Sequence, residues 1–187
     1  APGRWVSETD LIEASGHTRA PVRSAIQRLS DEGLLSIVPR KGAQIAPVDY
    51  TEQFRALELR RVVEALVAAS ATKRADETQR NEFKAIADGF KKAAEKPDQT
   101  KMTELDARCF EMLIQTADNK FASRALSSVK GLCRRFWVLH QEEHGDLKRM
   151  ALSHAAVAEA VANKDVAAAQ GAAAQLVDYV EDFTLAV

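Results

Sequence analysis

The 187-residue chain is poor in the residues that build most non-helical architectures. Its two cysteines, Cys109 and Cys133, are too few for a disulfide scaffold and suit a reducing compartment such as the cytoplasm. Aromatics make up only 6%, with 8 Gly and 5 Pro, a composition that favours helices over turn-rich sheets. A formal charge of −1 beside 46% hydrophobic residues excludes the highly charged, weakly hydrophobic composition of a disordered chain. No apolar run approaches the roughly 20 residues that span a bilayer, and no charged-then-apolar signal segment is present, so no membrane partner is expected. Three enzyme signatures are also missing: G-x-S-x-G, H-E-x-x-H and a phosphate-cradling glycine loop. No catalytic role and no cofactor are expected. The length allows one large domain or two small ones.

The charge that is present is unevenly distributed. Residues 16–48 carry Arg19, Arg23, Arg28, Arg40 and Lys41 against only Asp31 and Glu32. A local basic excess in a nearly neutral chain is what contact with a polyanion requires. Ser7 opens a short helix, with Leu11 and Ile12 as its buried positions, that stops at Ser15-Gly16. Thr18 is placed as the N-cap of a second helix over about 19–32, with Pro21 tolerated in its first turn. There Val22, Ala25, Ile26 and Leu29 form one apolar stripe. Ala20, Arg23, Ser24 and Gln27 point the other way, and Arg19 flanks them near the N-terminus. A helix that docks by one face and offers small, polar and basic groups on the other is built to enter a DNA groove. Gly33 ends it. Residues 34–38 and 43–46 then read as two strands joined by Pro39-Arg40-Lys41-Gly42, a basic tip suited to a phosphate backbone.

These residues carry a resemblance. Ser7-Glu8-Thr9-Asp10-Leu11, then Thr18-Arg19-Ala20-Pro21-Val22-Arg23-Ser24-Ala25, then Leu29-Ser30-Asp31-Glu32-Gly33-Leu34 resemble the winged helix-turn-helix of GntR-type bacterial transcription regulators. The resemblance implies DNA contact by Thr18, Arg19 and Arg23, joined by the wing residues Arg40, Lys41 and Gly42. Gln27 is a further candidate from its place on the recognition helix. Two positions depart from the family: Thr9 stands where an arginine is usual, and Ala20 where a threonine precedes the proline. Ala1-Pro2-Gly3 resembles the linker after a first helix that is absent here, which implies a native protein that begins earlier.

Residues 49–187 read as all-helical, and residues 1–48 as a partial winged-helix DNA-binding domain. Helices are expected over about 50–75, 78–95, 99–117, 120–142, 146–163 and 166–185, making a six-helix antiparallel bundle. The first has Leu57, Val62, Val63, Leu66 and Ala69 as its apolar positions, and Asp165 is a plausible cap for the last. The alanine-rich stretch 155–174 points to close helix packing. The fold class is therefore mainly α. Glu58-Leu59-Arg60-Arg61, Glu64, Leu105-Asp106, Ala117-Asp118-Asn119, His154 and Asp165 resemble the FCD subgroup of GntR regulators, in the shorter VanR-like form of the FadR-like branch.

That resemblance implies effector binding within the bundle and dimerisation. FCD domains commonly hold a divalent metal through one Asp and three His, the metal gripping a carboxylate effector. Here the four positions fall on Asp106, Phe110, His154 and Leu176, so two donors remain and two are apolar. No metal is expected. Cys109 turns about 100° from the Phe110 face and reads as core. His140 and His144, with Glu142 and Glu143, read as a solvated turn. Asp106 and His154 either meet a ligand or hydrogen-bond each other. Arg60 either pairs a ligand carboxylate or phosphate, or bridges to Glu64 one turn on. One of Arg134 and Arg135 is expected to face inward. The effector-site candidates are thus Arg60, Asp106, Phe110, Arg134, His154 and Leu176.

The combined expectation is a cytoplasmic, homodimeric regulator, most naturally a repressor. It would bind double-stranded, near-palindromic operator DNA and respond to a carboxylate or acyl metabolite. Two alternatives stay open at this level: a metal-dependent sensor of the same fold, and a helical sensing module that no longer binds DNA.

Overall fold

The computed structural model describes residues 2–39, 41–96 and 98–187. The wing-tip reading of Arg40, the start of the Ala1 linker reading and the break at Pro97 therefore lie outside the described residues. Eight helices and three strands occur among the described residues, in the order β1 (Trp5–Val6), α1 (Glu8–Ser15), α2 (Arg19–Asp31), β2 (Leu35–Val38), β3 (Gly42–Ile45), α3 (Tyr50–Arg74), α4 (Glu77–Glu95), α5 (Gln99–Ala117), α6 (Lys120–His144), α7 (Leu147–Ala162) and α8 (Val166–Ala186).

The N-terminal unit follows from its capping residues and one small sheet. Ser7 closes a capping box with Asp10, and Gly16, at φ 68°, ends α1 in the left-handed region. Thr18 stands at the N-cap of α2 with extended backbone, but its side chain makes no capping hydrogen bond. This leaves the hydroxyl available beyond the helix. Val22 is the buried residue of α2; Ala25, Ile26 and Leu29 are half-buried. Leu11 and Ile12, expected as buried, are only half-covered, because a unit this small encloses little.

β1 is a strand that the sequence did not disclose. It adds to the edge of β3, giving the antiparallel order β1-β3-β2 with Trp5 opposite Gln44 and Leu35 opposite Ile45. Gly42, at φ 99°, needs to be glycine twice over: a Cβ there would lie 2.9 Å from the Val6 carbonyl oxygen.

All six bundle helices open on an acid or amide cap. Asp49, Asp76, Asp98, Asn119, Asp146 and Asp165 each accept a hydrogen bond from a first-turn backbone N–H. Each such cap contributes about 1 kcal/mol. Asp165 fills the role expected of it. α4 packs on α7, α3 on α8 and α7 on α8, around Phe83, Ile86, Phe90, Val161 and Val177, all fully buried. Ala151, Ala155, Ala158 and Ala169 are equally enclosed, so the alanine-rich stretch serves close helix approach. On α3, Leu57 and Ala69 are buried, whereas Val62 and Leu66 are 70% and 47% exposed and form an uncovered apolar strip.

The two units meet along α6. Arg135 donates to the carbonyls of Ala46 (2.9 Å) and Pro47 (3.2 Å), in the segment between β3 and α3. Gly131 lies against the wing: a Cβ there would sit 2.7 Å from Leu34 Cδ1. Leu29, Leu34, Leu35 and Ile45 face Arg134, Val138 and Leu139 across a shallow apolar groove.

Candidate functional site

Arg19 and Arg23 lie on the solvent side of α2, with side chains 68% and 66% exposed. Both guanidinium groups turn toward one carboxylate. Arg19 Nε is 2.8 Å from Glu8 Oε1 and Arg23 Nε is 2.7 Å from Glu8 Oε2. The Arg23 hydrogen bond holds the Glu8 carboxyl below its ordinary value. Glu8 thus organises the two cations. Sequence reasoning missed it, although its place in the first turn of α1, facing the start of α2, was the available signal. Thr18 and Lys41 are exposed on the same unit, and Gly42 shapes the turn into β3. Gln27 is exposed and donates to Asp31 Oδ1 at 2.9 Å, so its amide is engaged within the helix.

The bundle encloses a cavity of about 160 Å³ whose wall includes Arg60, Asp106, Phe110, Arg134, His154 and Leu176. Five helices supply these six residues: α3, α5, α6, α7 and α8. Most of the remaining wall is apolar, with Val67, Met102, Leu113 and Trp137 among its members. Arg60 bridges to Glu64 at 2.6 Å with both side chains largely buried. Burial works against the Arg60 charge, but the Glu64 carboxylate and the Cys133 sulfur together outweigh it and raise the guanidinium above its ordinary value. Of the two readings left open for Arg60, the bridge to Glu64 is formed, and it is formed at the cavity wall.

Asp106 and His154 stand side by side. Their closest approach, Nε2 to Oδ1, is 3.6 Å, too long for a good hydrogen bond. The His154 ring stacks on Phe90 at 5.1 Å between centroids, and burial lowers its pKa, so the imidazole is neutral near pH 7. Arg134 lines the cavity while Arg135 turns to the linker carbonyls, which resolves the adjacent pair on α6. Cys109 is 1% exposed and its thiol is pushed up to about 12, chiefly by burial; it belongs to the core as expected and also contributes to the cavity wall.

Two positions differ from the sequence reading. His140 does not sit in a solvated turn: its ring packs on Phe136 at 4.8 Å, within a group that includes Tyr50. Lys130, not anticipated at all, points into the cavity with Nζ 3.5 Å from the centroid of the Phe110 ring. Its spacing of four from Arg134 on one helix was the only hint, and a charged pair at that spacing ordinarily reads as a solvated face.

A divalent metal does not fit this donor set. Asp106 and His154 are two ligands where Phe110 and Leu176 offer none, and an ammonium stands over Phe110. Among the described residues, no three His, Cys, Asp or Glu side chains are grouped as metal ligands.

The chain matches two family models: "Bacterial regulatory proteins, gntR family" over residues 1–45, and "FCD domain" over residues 55–179. Among curated relatives, it is 26% identical to the HTH-type transcriptional repressor RspR of Escherichia coli over 135 residues, which is 72% of this chain and 59% of that one. It thus spans less than two thirds of the length of RspR. It is 24% identical to the HTH-type transcriptional regulator YdhC of Bacillus subtilis, over 90% of this chain and 76% of that one. Among solved structures, McbR/YncC of E. coli superposes with a TM-score of 0.81 over 99% of this chain and 88% of that one, at 17% identity. A GntR regulator from a Rhodococcus species gives 0.74 over 100% of this chain and 89% of that one, at 20% identity. At these identities the structural likeness speaks to the fold. No described helix is long and apolar enough to cross a membrane.

Proposed function

Because the chain belongs to the GntR family of bacterial regulatory proteins, in the branch that carries an FCD domain, we propose that it is a DNA-binding transcription regulator, a repressor whose affinity for its operator is set by a small molecule in the bundle cavity. The observation that carries this reading is the position of α6. Arg134 and Val138 belong both to the cavity wall and to the groove against the winged unit. A ligand that moves α6 therefore moves the surface on which the wing rests, and cavity and DNA face become two sites coupled through one element. Thr18, Arg19, Arg23, Lys41 and Gly42, with Arg40 beside them in sequence, form the DNA face. The protein acts as a homodimer on a near-palindromic site, each winged unit reading one half. The name of RspR, a repressor, favours the repressing sense. The effector is a carboxylate or acyl metabolite, bound without a metal.

The test is operator binding by an Arg23→Ala variant. Loss of this contact should weaken binding about tenfold or more and reduce the dependence of log affinity on log salt by about one unit. Unchanged affinity and an unchanged salt slope would show that α2 does not face DNA.

A further inference from the structure

Lys130 is a cation of the cavity wall for which no salt bridge is formed among the described residues. Arg60 has Glu64 at 2.6 Å, whereas Asp106 stands beside the neutral His154 at 3.6 Å and acts on Lys130 only through space. Among the described residues, Lys130 Nζ makes no hydrogen bond and has no carboxylate within 4.0 Å; its close partner is the Phe110 ring, 3.5 Å from Nζ to the centroid. The ring face is an electrostatic support, not a hydrogen-bond acceptor, so the three N–H donors of the ammonium are left for something else. Lys130 is half-buried, and burial lowers its pKa against the opposing pull of the Asp106 carboxylate. Arg134, one turn further along α6, brings a second cation to the same wall.

We propose that Lys130 is the residue that recognises the ligand, binding the head group of an organic monoanion whose apolar body fills the rest of the cavity. This rests on the reading of the cavity as an effector site and names the group that selects the effector. Phe110 is part of the device, since its ring holds the ammonium in place. Arg60, Lys130 and Arg134 set three cations against the carboxylates of Glu64 and Asp106 on the same wall, so one negative charge on the ligand is balanced and two are not. The cavity volume of about 160 Å³ suits a ligand on the order of ten non-hydrogen atoms, and its walls of Val67, Met102, Leu113 and Leu176 suit a hydrocarbon body.

Octanoate and octanol are matched probes of that size, and Trp137, on the cavity wall, reports their binding by fluorescence. In the full chain, octanoate should bind about tenfold more tightly than octanol. Lys130→Met keeps the length of the side chain and removes the charge. It should abolish the preference for octanoate while octanol binds as before, and Lys130→Arg should retain the preference. An unchanged preference in Lys130→Met would overturn the assignment and leave the effector cavity standing with another anion-binding group. Equal binding of both probes to the native chain would overturn the assignment in the same way. If neither probe binds the native chain at millimolar concentration, the cavity is not an effector site of this chemistry, and both readings fall.

Discussion

Arg60 and Glu64 show what a single buried charge demands of its surroundings. The pair is one helical turn apart on α3, at 2.6 Å, with side chains 15% and 19% exposed. Glu64→Gln would leave the guanidinium enclosed without its counter-ion, a change expected to cost about 3 kcal/mol. At about 2–4 °C per kcal/mol for a chain of this size, thermal unfolding should move down clearly. A double replacement, Arg60→Met with Glu64→Leu, should recover most of the loss, because no charge is then stranded. If Glu64→Gln melts with the native chain, the pair does not stabilise the fold. Cavity residues were legible in sequence where spacing and resemblance agreed: Asp106 and Phe110 lie four apart on one face, and His154 and Leu176 follow at matched positions. Lys130 and Glu8 were not legible. A lysine on a helix is usually solvated, and only packing reveals that Lys130 rests on Phe110. Only the crossing of α1 and α2 reveals that Glu8 takes both arginines.

At the scale of elements, helices were read well and the sheet less so. Each bundle helix begins at an Asp or Asn cap, a local signal carried within four residues, and the expected spans lie within a few residues of those found. β1 is two residues long and exists only through pairing with β3, about forty positions away, so no local pattern announces it. α6 is the element on which the proposed function depends. It lines the cavity, meets Leu34 at Gly131, and holds the linker carbonyls of Ala46 and Pro47 through Arg135. Arg135→Ala removes both linker hydrogen bonds without touching the cavity. The segment 46–49 should then be cut faster in limited proteolysis, and octanoate should bind as before while any effect of a ligand on DNA affinity weakens. Proteolysis and ligand response both at native levels would show that α6 does not hold the winged unit through this contact.

For the whole molecule, a net charge of −1 conceals a division of labour. The basic excess lies in residues 16–48, the cavity lies in the bundle, and Val62 and Leu66 on α3 are exposed. On the proposed function, each copy in a dimer presents one basic face to DNA. The most direct measurement is selection of duplex DNA from a random-sequence pool by the full chain, followed by affinity measurements on the selected sequence at several salt concentrations. The account predicts an enriched sequence with inverted-repeat symmetry, bound with an affinity that falls steeply as salt rises. A pool that shows no enrichment, with no DNA retained even at low salt, would contradict it.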